Sequence, residues 1–204
     1  MGGGEGRQEM NNTGLFGIFI AALLINNILL IRFIALCSFF GVSSSMESSV
    51  GMSMAVIFVM TISSAVTWVL YNFILLPLHL EFLRIASFIL VIASLVQLEE
   101  LFMKKNLPEL YRALGIYLPL ITTNCAILAV AFLNVDYKYS FIQAIVYSLG
   151  VSCGYTLAII LFSGIRENLE TAPVPDVLRG YPIAFFTAAL MSLAFLGFKG
   201  LFGL

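Results

Sequence analysis

Leu36-Cys37-Ser38-Phe39-Phe40-Gly41-Val42 and Asn124-Cys125-Ala126-Ile127-Leu128-Ala129-Val130 are the stretches whose reading decides the fold. From the cysteine onward both run cysteine, small residue, two bulky apolar residues, small residue, valine. The two cysteines lie 88 residues apart, a little under half of the 204-residue chain. Two related halves, each offering one thiol at a comparable place, point to a site on a symmetry axis. Two thiols are half of the four that an iron–sulfur cluster usually takes.

Both frames sit in apolar surroundings. The chain is 61% hydrophobic and 10% charged, with mean hydropathy +1.04, whereas a soluble domain carries about 25% charged residues. Its solvent is therefore mostly lipid. A formal net charge of −1 gives no sign of nucleic-acid binding. A single His argues against a His-built metal or haem site. Six stretches are long enough to cross a bilayer as helices of about 20 residues: 14–36 or slightly beyond, 50–71, 82–102, 114–133, 140–163 and 181–202. They are continuous rather than alternating, which excludes strands. The fold class is an all-α membrane protein, with residues 14–204 forming a single integral membrane domain. Residues 1–13 are polar and Gly-rich, unlike a signal peptide or a myristoylation site, and read as a mobile tail.

Six spans put both termini on one side. Arg7, Arg84, Lys138 and Lys199 share that side, while Lys104, Lys105, Arg112, Arg166 and Arg179 lie opposite. The denser basic loops, 103–112 and 165–180, are placed inside, and the termini outside. Three spans per half is an odd number, so repeat 2 (about 114–202) enters the membrane in the opposite sense to repeat 1 (about 14–102). This is inverted-repeat geometry. A second match, Leu80-Glu81-Phe82-Leu83-Arg84 against Pro175-Asp176-Val177-Leu178-Arg179, precedes the third span of each half.

Each cysteine follows residues that weaken helices: Asn26 and Asn27 before Cys37, Pro119 and Thr122-Thr123-Asn124 before Cys125, with Gly41 just after Cys37. The first and fourth helices are expected to be broken there, which membranes tolerate only inside protein or around a cavity. Half-helix ends would turn N–H groups toward thiolate charge. The alternatives are plain packing of a small apolar residue and a Cys37–Cys125 disulfide. Cys153, in Gly150-Val151-Ser152-Cys153-Gly154, has no counterpart in the first half and reads as packing. Arg32 either snorkels or offsets an anionic group. Glu99 and Glu100 read as solvated helix-end carboxylates or the entrance of a cation path. Glu81 and Asp176 read as N-terminal helix charges. Trp68, Tyr71, Tyr117 and Tyr181 fit interfacial belts. No Walker loop, GxGxxG or nucleophile–base pair is present, so the chain holds no complete active site of its own.

Leu36-Cys37-Ser38-Phe39-Phe40-Gly41-Val42-Ser43 and Leu114-Gly115-Ile116-Tyr117-Leu118-Pro119-Leu120-Ile121-Thr122-Thr123-Asn124-Cys125-Ala126 resemble the two cysteine segments of the A-type subunit family of Rnf electron-transport complexes. So do Arg84 with Phe88-Ile89-Leu90-Val91-Ile92-Ala93, Ile165-Arg166-Glu167 and Leu190-Met191-Ser192-Leu193-Ala194-Phe195. The likeness runs from about residue 14 to the C-terminus. Ser38 departs from it, standing where Pro is usual. The resemblance implies six helices in inverted repeats, in the bacterial cytoplasmic membrane. It implies a homologous E-like six-helix partner among other Rnf subunits, and one [2Fe–2S] cluster half-ligated by Cys37 and Cys125. It implies electron transfer between ferredoxin and NAD, coupled to Na+ or H+. The alternatives are the E-type subunit of the sister Na+-translocating NADH:quinone oxidoreductase, an inverted-repeat secondary transporter without a redox centre, and a structural scaffold. Iron discriminates among the classes.

The expected orientation is open to reporter fusions. A fusion at residue 204 should report outside and one near residue 105 inside. An inside signal at 204 would reverse the orientation without changing the number of spans.

Overall fold

Lipid offers the backbone no hydrogen-bond partners, so an apolar run must satisfy its own N–H and C=O groups, and a helix does so within one segment. The computed structural model describes residues 14–77, 81–106, 124–171 and 180–201, and all regular structure among them is helical. In chain order the helices are α1 (Leu15–Ile25), α2 (Leu36–Val42), α3 (Met46–Leu75), α4 (Arg84–Asn106), α5 (Cys125–Asp136), α6 (Phe141–Thr171) and α7 (Tyr181–Leu201). Three are long and apolar enough to cross a membrane: α3, α4 over Arg84–Phe102 and α6 over Phe141–Leu169. They cover the expected spans 50–71, 82–102 and 140–163. The remaining expected spans hold the shorter apolar helices Leu15–Ile25, Cys125–Asp136 and Tyr181–Gly197. The tail 1–13, Arg112, Tyr117, Pro119, Thr122-Thr123 and Asp176 lie outside the described residues.

The core is the packing of α3 along α6. In α6, 56% of the apolar window is buried, against 17% in α4, which makes α6 central and α4 peripheral. Lipid tails are as apolar as leucine, so helices associate through close packing of small residues and internal hydrogen bonds. The buried face of α3 is accordingly Ser49, Gly51, Ser53, Ala55, Ser63, Ser64 and Thr67, filled in by Met52, Val56, Val59 and Met60. Ser45 caps the start of α3 by accepting from the Ser48 N–H at 3.4 Å, with Glu47 in the first turn. Asn134 of α5 donates to Ser64 Oγ of α3 at 2.6 Å and to Ser148 Oγ of α6 at 3.3 Å, so one buried amide ties three helices. Helix α4 is fastened at its start by Arg84, which pairs with Asp136 at 3.1 Å and lies 5.0 Å over the Phe132 ring. The outward faces carry Phe58, Phe73, Ile85, Leu90, Leu98, Phe185 and Leu193, an apolar surface suited to lipid.

The first helix is broken, as the sequence leads one to expect: α1 ends in a wider π turn at Ile25, and residues 26–35 are irregular before α2. The structure corrects the sequence reading in two places. Gly41 is no breaker, because it lies inside α2. The basic segment 165–180 is no loop over its first part, because α6 runs on to Thr171.

Helix α1 comes close to α6 because Gly150 and Gly154 present no side chain to it. A Cβ at Gly150 would stand 2.8 Å from the Phe19 carbonyl oxygen, and one at Gly154 2.8 Å from that of Leu23. Gly150→Ala and Gly154→Ala should each destabilise the protein by about 1–3 kcal/mol, the usual cost of overpacking. Gly197→Ala, with nothing within 4 Å, should be neutral or slightly stabilising. Thermal unfolding in detergent reads the difference.

Candidate functional site

The break between α1 and α2 is held by specific partners. Asn27, wholly buried, accepts through Oδ1 from the N–H groups of Leu29 (3.1 Å) and Leu30 (3.4 Å) and donates through Nδ2 to the Gly154 carbonyl at 2.9 Å. Ser192 of α7 donates to the Leu30 carbonyl at 2.7 Å. Phe33 and Ala35 adopt the left-handed region, with φ of 54° and 70°, and Ala35 turns the chain into α2 as its N-cap. The sharp turn is made there without a proline at position 38. Ser38 donates to the Ala35 carbonyl at 3.0 Å and steadies the same turn.

Helix α5 starts more conventionally. Asn124 is its N-cap, accepting from the Ala126 N–H at 3.0 Å. Cys125 is therefore the first residue of α5 and Cys37 the second of α2. The two starts meet, and the sulfurs stand 3.9 Å apart, both on the exposed side of the chain. The paired frames of the sequence thus mark one place in space. Cys153, free and half-buried in α6, is no member of this pair. Among the described residues no third Cys, His, Asp or Glu completes a group with the two thiols.

Behind the thiols lies a layer that sequence reasoning missed. Tyr155 of α6, fully buried, donates its hydroxyl to Ser38 Oγ at 2.9 Å and lies beside Asn124, so it backs both cysteine helices at once. Arg166, one and a half turns before the end of α6, donates to the Phe40 carbonyl at 3.0 Å and to Ser43 Oγ at 2.9 Å, closing the C-terminal end of α2. Phe39 stacks on Phe162 at 4.2 Å between them. The Asn-Cys order was the available signal for the cap of α5. Nothing local marks Tyr155, which is 117 residues from Ser38. Arg32 lies in the irregular segment and donates to the Tyr137 hydroxyl at 2.9 Å. That hydroxyl lies just past the far end of α5.

Comparison with known proteins gives the chain its relatives. A family model described as Rnf-Nqr subunit, membrane protein, matches residues 15–202. The A-type subunit of the Na(+)-translocating ferredoxin:NAD(+) oxidoreductase complex of Acetobacterium woodii is 54% identical over 187 residues, covering 92% of this chain and 97% of its own length. Its counterpart in the ion-translocating oxidoreductase complex of Syntrophotalea carbinolica is 53% identical over 184 residues, covering 90% and 95%. That of Shewanella oneidensis is 52% identical over 184 residues, covering 90% and 96%. The likeness to A-type subunits read from the cysteine segments holds over nearly the whole chain.

Sulfurs this close should couple on oxidation. Mild oxidation of the isolated, iron-free chain should give a Cys37–Cys125 disulfide by peptide mapping and none to Cys153. Tyr155→Phe, which removes a buried hydrogen bond worth about 1 kcal/mol, should lower its yield.

Proposed function

The chain belongs to the Rnf-Nqr family, and from that premise we propose that it is the A-type subunit of an ion-translocating ferredoxin:NAD oxidoreductase complex, in which Cys37 and Cys125 hold half of a [2Fe–2S] cluster. The observation that carries this is the thiol pair itself: two sulfurs 3.9 Å apart, in the first turns of two helices, facing outward. Two thiolates on one tetrahedral metal, with metal–sulfur bonds of about 2.3 Å, lie about 3.8 Å apart. The residues present therefore fit an iron of such a cluster. A second observation supports the fit. Asn124 Nδ2, buried one residue before Cys125, has no hydrogen-bond partner, and cluster sulfurs accept hydrogen bonds from such donors.

When bound, the group supplies one-electron transfer at a place where an apolar helix bundle has no carrier. The chain's own residues perform the rest. Cys37 and Cys125 bind. Asn124, Ala35 and Ser38 fix the helix starts that aim them. Tyr155 and Arg166 hold α2 against α6. The start of α5 presents backbone N–H groups beside Cys125. The pair faces outward and supplies only two ligands; the likeness to A-type subunits implies that the remaining two thiolates come from a homologous six-helix protein of the E type, set in the opposite orientation, next to the other members of the complex. This arrangement accompanies six spans in two inverted repeats, in a bacterial cytoplasmic membrane with both termini outside. The order of a short cysteine helix followed by a long one, α2–α3 and α5–α6, supports it. Na+ or H+ is the coupled ion. The relatives' names favour the A type over the subunits of the sister quinone reductase.

Cysteine replacement is the test. Ser at position 37 or 125 should abolish the cluster's visible and EPR signals and ferredoxin-linked NAD reduction, while the complex still inserts and assembles. Cys153→Ala should leave both near normal. Normal spectra in both single variants would reject the assignment, and loss of the cluster in Cys153→Ala would undo the scheme of two ligands per chain.

A further inference from the structure

Glu99 is not the solvated helix-end carboxylate that its sequence position implies. It lies inside the apolar span Arg84–Phe102 of α4, facing α3. A cavity of about 190 Å³, half open to the outer face, lies between the two helices; the exposed Phe58, Ile62, Leu98 and Phe102 form its rim, and Ser63 and Glu99 supply its oxygens. Ser63 is wholly buried, about 18 Å from the nearer end of α3 at 1.5 Å per residue. Both Ser63 Oγ and Glu99 Oε2 are buried without a hydrogen-bond partner. Two unsatisfied oxygens facing one apolar cavity are costly. An unpaired polar group in such surroundings loses its hydration, and an isolated carboxylate loses far more and neutralises instead. Intramembrane acids that persist mark ion or proton sites.

No other charged side chain lines this cavity among the described residues. On α3, the acid Glu47 and the phenol Tyr71 are sixteen and eight residues from Ser63, about 24 and 12 Å along the helix. On α5, the charge near α4 is Asp136, which is paired with Arg84 at the opposite end of α4. On α4 itself Glu100, Lys104 and Lys105 follow, and the last two are exposed. That charged end is one to two turns away, about 8 Å, and gives water access to the site. Ser63 and the Glu99 carboxylate offer three side-chain oxygens between them, too few for Na+ or another hard cation, which takes six or so oxygen ligands. They suffice for a proton, and the cavity has room for water between them, at about 30 Å³ per molecule.

We propose that Glu99 and Ser63 form a proton-binding site within the membrane span, in which the Glu99 carboxyl takes up a proton from water at the charged end of α4 and returns it there. Uptake converts the carboxylate and a hydronium ion into a carboxylic acid and water; only O–H bonds are made and broken, and no electron moves. Ser63 Oγ orients the acid directly or through a water. The site stands on the α3–α4 cavity alone and does not depend on the iron assignment.

The test is pH-difference infrared spectroscopy of the intact complex in bilayers, comparing wild type with Glu99→Gln. The expected result is a carboxylic-acid C=O band in the wild type that shifts in D2O and gives way to carboxylate bands as pH rises. Glu99→Gln should lack that band while still assembling. Glu99→Asp should keep an acid band, and Ser63→Ala should move its frequency without removing it. An apolar carbodiimide, which attacks protonated carboxyls, should modify the Glu99 peptide of the wild type. Spectra in which Glu99 contributes only carboxylate bands at every pH would overturn the proposal. So would loss of the acid band on adding Na+ at fixed pH, which would make the site one for a metal cation, or a carbodiimide adduct confined to Glu100.

Discussion

A helix broken inside lipid must find partners for every backbone group it releases, and the structure turns on how residues 26–35 do so. Asn27 caps the chain that follows α1 and binds the Gly154 carbonyl, while Ser192 takes up the Leu30 carbonyl. These partners exist because Gly150 and Gly154 let α1 lie against α6. The break then permits a new helix to begin at Leu36, inside the protein, with a thiol in its first turn. Without the close approach of α1 there is no satisfied break, and without the break no helix start meets that of α5. A continuous helix would carry Cys37 on its wall, with no second helix end beside it.

The same helix, α6, supports the pair from behind. Tyr155 donates to Ser38, Phe162 stacks on Phe39, and Arg166 closes the end of α2. Each contact is modest, since a buried hydrogen bond contributes about 1 kcal/mol net. Their value is positional. A site that must receive a second pair of ligands from a partner protein needs its own two sulfurs fixed, and here they are fixed by one rigid central helix.

The cysteine frames were legible because cysteine, a small residue, two bulky apolar residues, a small residue and valine in an apolar run is a local pattern, and the long helices because apolar length is also local. The limits of α6 were not. Arg166 read as a loop charge, yet it is drawn into the protein by the free carbonyl of Phe40, which no sequence window shows. Gly41 looked like a breaker because glycine lowers helix propensity, but packing among Phe39, Phe40 and Phe162 outweighs about 1 kcal/mol of propensity. Glu99 looked exposed because it stands near the end of a helix. Its surroundings are set by α3, and only the pairing of α3 with α4 reveals the cavity. Tyr155 could be named only once the helices were in place.

The most direct measurement is the iron content of this chain purified with its E-type partner, both within the whole complex and as a pair separated from all other components, read with the EPR spectrum after reduction. The account predicts two irons per pair, hence one per copy of this chain, and a [2Fe–2S] signal that the pair retains. A pair free of iron, or one whose iron belongs wholly to the E-type partner, would contradict it.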